Sequence, residues 1–170
     1  MITQERLKVV LDYNSDAGVF TRLKGSGGYP AGHICSNYND QGYLIISVDG
    51  RKYRGHRLAW LYMFGVMPTG DIDHINQKPD DNRIVNLRDV SHKINMRNAR
   101  INSSNTSGVS GVSWYDIGRT WRARINVDGK EKNLGHYKIF KDAVAARKLA
   151  ELDYEYHENH GRTVEEIQNG

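Results

Sequence analysis

Apolar and polar positions alternate in short blocks along this chain, separated by glycine- or asparagine-rich breaks, and the block lengths predict a mixed α+β protein. Residues Ile2 to Tyr13 carry Leu7, Val10 and Leu11 at helical spacing, so a short amphipathic helix is expected there, followed by a turn over Asp12 to Gly18 and a strand from Val19 to Leu23. Gly25 to Gly32 reads as a loop, Gly42 to Val48 alternates as a strand, Asp49-Gly50 is a hairpin turn and Arg51 to Arg57 returns. His56 to Phe64 is apolar enough for a helix against the core. Pro68 and Gly70 then break the chain, Ile72 and Ile75 flank a strand ending at Asp73-His74, and Gln77 to Asn82 with Pro79 is a polar loop. A returning strand over Arg83 to Val90 contains Asn86, and Ser91 is placed to cap a helix bearing His92, Ile94, Asn95 and Asn98.

Beyond Ile101 large apolar residues thin out, which predicts a linker over 101–107. The rhythm then changes to three strands, Val109–Tyr115, Trp121–Val127 and Glu131–Tyr137, and one helix from Phe140 to about Tyr156. The expected organisation is a first domain over 1–100 with its core motif at 56–100, a second over 108–160 and a fraying tail over 161–170. Alternation puts Trp121, Ala123, Ile125 and Val127 on the helix side of the middle strand and Arg122, Arg124 and Asn126 on the other.

The chain has 170 residues, a formal net charge of +4 and a basic isoelectric point, a balance that suits a nucleic-acid partner. No apolar run approaches the roughly 20 residues of a bilayer span and Met1 to Val10 does not read as a signal peptide, so no membrane association and a cytoplasmic location are expected. The single cysteine, Cys35, cannot close an internal disulfide and reads as a small buried residue. The absence of a C-x-x-C pair argues against structural zinc.

The stretch Asp71–Asn98 concentrates the chemistry. His74 can take a proton from water near neutral pH, provided that its ring is neutral and held. Asn86 could hold that ring or brace the adjoining loop, while Asp73 and Asn95 offer oxygen ligands suited to one hard divalent ion, Mg²⁺ or Mn²⁺. His92 is a third candidate ligand or a phosphate contact. For Asp73 and His74 to face one site the strand must end or bulge at the pair. Asn76, Asp80, Asp81 and Asn82 read as turn-formers, and His56 as a structural residue near the core.

The order Asp73-His74, Asn86 within NLR, and Asn95 on the helix resembles the HNH nuclease motif. The upstream His56-Arg57-Leu58 and the trailing Asn95 and Asn98 strengthen the likeness to phage HNH homing endonucleases. That resemblance implies a ββα-metal (His-Me finger) fold, one metal per active site, and hydrolysis of DNA to 5′-phosphate and 3′-hydroxyl ends. Residues 108–160 resemble an AP2-type DNA-binding domain through Gly111-Val112, Trp121, Ala123, Ile125, Leu134-Gly135, Tyr137 and KDAVAARKLAE. The resemblance implies a three-stranded antiparallel sheet whose face away from the helix enters the major groove. Arg122, Arg124 and Asn126 are then the expected DNA contacts, joined by Ser113, Tyr115 and Asn133 on neighbouring strands. The family's arginines on the first strand are replaced here by Ser and Tyr, so no base preference carries over. Arg54 on the hairpin, with Arg97 and Arg100 after the motif helix, are expected phosphate contacts. The partner is therefore expected to be double-stranded DNA, bound by a monomer or a homodimer. Two other classes fit the same residues: a non-catalytic DNA-binding regulator on an HNH scaffold, and a structure-specific or RNA nuclease.

Overall fold

The computed structural model describes residues 2–169, which form two compact units that divide between His92 and Lys93. In the first unit, α1 (Gln4–Val10) starts at Thr3, whose hydroxyl accepts a hydrogen bond from the Arg6 amide at 3.2 Å. The expected helix through Tyr13 stops at Val10. Leu11–Asn14 is instead strand β1, paired antiparallel with β2 (Val19–Arg22), and this alternation buries Leu11 and Tyr13. Strands β3 (Ile45–Val48) and β4 (Arg51–Arg54) form a hairpin across Asp49-Gly50. Both turn residues have positive φ, 49° and 75°, as a two-residue type I′ turn requires. Helix α2 (Gly55–Phe64) begins directly after β4, and ends at Gly65 in the left-handed conformation.

Strand β5 (Asp71–His74) pairs antiparallel with β6 (Leu87–Val90). The expected strand from Arg83 begins only at Leu87, because Ile84–Asn86 forms a turn of 3₁₀-helix that places Asn86 ahead of the strand. Leu7, Leu11, Phe20, Ile46, Leu58, Ile72 and Leu87 make one apolar core beneath these elements.

The second unit opens within α3 (His92–Met96), a five-residue helix with no buried side chain that directly follows Ser91. The division at His92/Lys93 falls ahead of the 101–107 linker expected from composition. Strands β7 (Val112–Tyr115), β8 (Thr120–Val127) and β9 (Lys130–Tyr137) form an antiparallel sheet in that order, packed against α4 (Phe140–Asp153). Val112, Ala123 and Ala143 are the buried centre of this small core. The tail expected to fray contains α5 (Val164–Asn169), anchored by the buried Ile167.

A polar cluster completes the second unit. Arg147 on α4 donates from Nε to Glu151 Oε1 at 3.0 Å and from Nη1 to the Arg124 carbonyl at 2.9 Å, and its Nη2 lies 3.1 Å from Nε2 of His160. Glu151, in the last turn of α4, is buried as well. Burial, then the Arg147 charge, pushes the His160 imidazole down to about 4 from an ordinary value near 6.5. Between these values the unfolded chain binds a proton that the folded chain refuses. Stability contributed here is complete above about pH 6.5 and falls as the pH drops towards 4, by roughly 2 kcal/mol once the solvent-facing part of the ring is allowed for. Urea midpoints between pH 7.5 and 4 should show this slope, and His160→Asn should flatten it.

Candidate active site

Two contacts fix the approach to β5. Arg57 donates to the carbonyls of Gly70 and Pro68, both at 3.3 Å, and the Asp89 carboxylate accepts from the amides of Thr69 at 2.9 Å and Gly70 at 2.8 Å. The Arg57 expected from the His-Arg-Leu text thus orients the strand carrying the candidate base. A methyl group on Gly70 would lie 2.3 Å from the Val90 carbonyl oxygen, which is backbone and cannot swing aside. Gly70→Ala is expected to destabilise the first unit by about 2–3 kcal/mol, measurable as a lowered urea midpoint.

The register runs Asp73↔Arg88 and His74↔Leu87 without interruption. The strand does not bulge but ends at His74, which meets the condition of an end or a bulge at the pair. Asp73 faces Arg88, whose Nε donates to its Oδ2 at 2.8 Å in a largely buried ion pair. His74 is 5% exposed and lies between aromatic neighbours, with ring centroids 5.0 Å from His56 and 5.9 Å from Tyr43. Burial pushes the His74 imidazole below its ordinary value, while the nearby Asn82 side chain and the carboxylates of Asp73, Asp81 and Asp80 pull the other way. The ring is therefore held neutral at physiological pH, the form that accepts a proton.

Asn86 braces the loop between the strands rather than the ring. Its Oδ1 accepts from the Asn76 amide at 3.0 Å and its Nδ2 donates to the Asp81 carbonyl at 2.9 Å. Asn82, read from sequence as a turn-former, is 1% exposed and touches the candidate base; a turn residue carries no local signal for that role. Its carbonyl also accepts from Tyr13 Oη at 2.6 Å, tying the loop to β1.

His92 Nδ1 sits 2.7 Å from Asp71 Oδ2 on an exposed surface. Arg54 stacks over Tyr43, with its guanidinium carbon 5.0 Å from the ring centroid. Asn95, Arg97 and Arg100 belong to the second unit. There Arg97 lies 3.9 Å from Glu155 and over the Tyr156 ring, so its charge is engaged within its own unit.

The HNH endonuclease family model matches residues 53–97, the stretch holding this geometry. An 81-residue segment is also 37% identical to Protein 3.8 of Escherichia phage T7, covering 47% of this chain and 67% of that protein. The chain belongs to the family of this phage protein and carries an HNH endonuclease domain. An HNH domain implies a nuclease that binds nucleic acid. No solved structure matches the chain. Within the HNH domain the described residues form no cluster of three His, Cys, Asp or Glu able to hold a metal. One carboxylate nevertheless fits a hard divalent ion that takes its remaining oxygens from water and substrate, and Asp73 offers it, in competition with Arg88.

On the second unit's sheet, Ser113, Arg122 and His136 are directly paired across β7, β8 and β9, and a register shift after Ala123 brings Asn133 opposite Arg124. Ala123 and Ile125 are buried, as expected for the helix side. Arg122 lies over the Tyr115 ring at 5.8 Å, and Arg124 Nη1 is 3.0 Å from Glu131 Oε2. The expected row is thus part aromatic, part ion-paired, with Asn126 and Asn133 exposed.

Proposed function

We propose that this chain is a metal-dependent endonuclease of the HNH homing type that hydrolyses phosphodiester bonds in double-stranded DNA. His74 is the general base and Asn86 sets the loop beside it. The observation that carries this reading is a buried imidazole at the end of β5, set against the His56 and Tyr43 rings within the matched HNH stretch. His74 accepts the proton of the attacking water, and its burial favours the neutral, proton-accepting ring. Asp73 would supply a carboxylate to a divalent cation such as Mg²⁺, which when bound neutralises charge on the phosphate and leaving oxygen. Arg88, paired with Asp73 at 2.7 Å, would share that carboxylate with a bound cation.

The AP2-like reading assigns site selection to the second unit. Ser113, Tyr115, Arg122, Arg124, Asn126 and Asn133 would contact DNA from the sheet face opposite α4. Incubating supercoiled plasmid with the protein in Mg²⁺, against EDTA, tests the reading; metal-dependent nicking is expected, and none over hours at micromolar protein would overturn it. Parallel duplex DNA, RNA and branched DNA substrates test the substrate assignment, with duplex DNA expected to be cut fastest.

A second reading draws on the Asp73–Arg88 ion pair and the 5% exposure of His74. Both features suit an HNH scaffold kept for DNA binding alone, which would retain affinity and show no nicking under any divalent metal.

A further inference from the structure

His56 stands on the first turn of α2, where sequence suggests an ordinary core residue, yet its ring abuts the candidate base. It is 3% exposed and its centroid lies 5.0 Å from that of His74, with the two ring planes at 90°. Tyr43 closes the group, 5.3 Å from His56 and 5.9 Å from His74, beneath the guanidinium of Arg54. The position of His56 is tightly set. Gly55 donates its amide to the Leu44 carbonyl at 2.7 Å, and a methyl group on Gly55 would meet the Leu44 side chain at 2.9 Å.

An apolar side chain would be the cheaper filler for this space. The Nδ1 atom of His56 is buried with no hydrogen-bond partner, a desolvation cost that Phe or Leu would avoid. His56 also stays neutral, since burial and the nearby His74, Arg54 and Arg57 all oppose a charge on it. A neutral imidazole presents one N–H and one lone pair at its rim, so the ring offers His74 a fixed local dipole that a hydrocarbon ring lacks. In so enclosed a place that dipole is weakly screened.

We propose that His56 is a positioning residue for His74: its imidazole, set perpendicular to the His74 ring, fixes the plane and tautomer in which His74 meets the attacking water. This rests on the nuclease reading of His74. A base turned by even a fraction of an ångström loses rate without losing substrate affinity, because positioning acts on the chemical step. His56 therefore acts on kcat and leaves KM unchanged.

The test uses the full chain carrying His56→Phe, which keeps a flat ring of similar volume and removes both nitrogens. Three measurements are made: single-turnover plasmid nicking in Mg²⁺, DNA affinity, and the ¹⁵N-resolved tautomer of the His74 imidazole by long-range ¹H–¹⁵N correlation. Expected are a nicking rate lowered by about tenfold or more, unchanged affinity, and a His74 signal that passes from one tautomer to a mixture. His56→Gln, which keeps a donor and an acceptor, is expected to stay within about threefold of the parent rate and to hold one tautomer; it also serves should the Phe variant fail to fold. A folded His56→Phe protein with the parent rate and a single tautomer overturns the proposal, as does a folded His56→Gln protein that shows a mixture. If the parent protein does not nick at all, the nuclease reading fails, while the tautomer measurement still decides whether His56 orients His74.

Discussion

His74→Ala is expected to lower the plasmid-nicking rate by about 10²–10⁴-fold while leaving DNA affinity within a small factor of the parent. The size follows from the role. A positioned base contributes only in the transition state, so its loss falls on the chemical step and spares ground-state contacts. The side chain leaves a space walled by His56, Tyr43 and Asn82, and β5 keeps its hydrogen-bonded register with β6. The variant should therefore fold, and circular dichroism should match the parent. Asn86→Ala makes a useful contrast. It removes the bonds to the Asn76 amide and the Asp81 carbonyl, so it loosens the loop that carries Asn82 and should lower both rate and stability. A His74→Ala protein that nicks at the parent rate would remove the assigned base and favour the scaffold reading.

The features legible in the sequence are those set by local spacing. His74 and Asn86 stand at fixed separations within one continuous stretch, which marks them as candidates, and β8 shows its two faces by simple alternation. The Asp49-Gly50 turn is equally plain, because Asp-Gly readily takes the two left-handed conformations of a type I′ hairpin turn. Features that depend on pairing across the chain were hidden. Asp73 reads as an open oxygen ligand until the register sets Arg88 opposite it. His56 lies 18 positions before His74, and only the packing of α2 brings the two rings together. Leu7 and Leu11 satisfy helical spacing, yet Leu11 also fits a strand, and pairing with Arg22 decides in favour of β1. Asn82 illustrates a different limit. Its amino-acid type suits a turn, which is where it sits, and its contact with His74 adds no further constraint that spacing could reveal.

Arg147→Met is expected to destabilise the second unit by about 3–5 kcal/mol, the largest stability loss anticipated for any single side chain there. Arg147 is 3% exposed and simultaneously engages Glu151, the Arg124 carbonyl and His160, joining α4 to β8 and to the C-terminal segment. Methionine fills much of the same volume but leaves the buried Glu151 carboxylate with Lys148 as its remaining cation, at 2.8 Å. It also strands the Arg124 carbonyl. The apolar centre here is only Val112, Ala123 and Ala143 with partly buried neighbours, too little to absorb such a loss when whole domains hold about 5–15 kcal/mol. Trp114 and Trp121, 5.3 Å apart on this sheet, report unfolding through their fluorescence in urea. Arg147→Met with Glu151→Leu removes the buried carboxylate as well and should recover part of the loss, because the cost lies in a buried charge left with only the exposed Lys148 as partner rather than in the missing ion pair. A single variant within about 1 kcal/mol of the parent, or a double variant no better than the single, would show that the sheet and α4 are held by their apolar contacts alone.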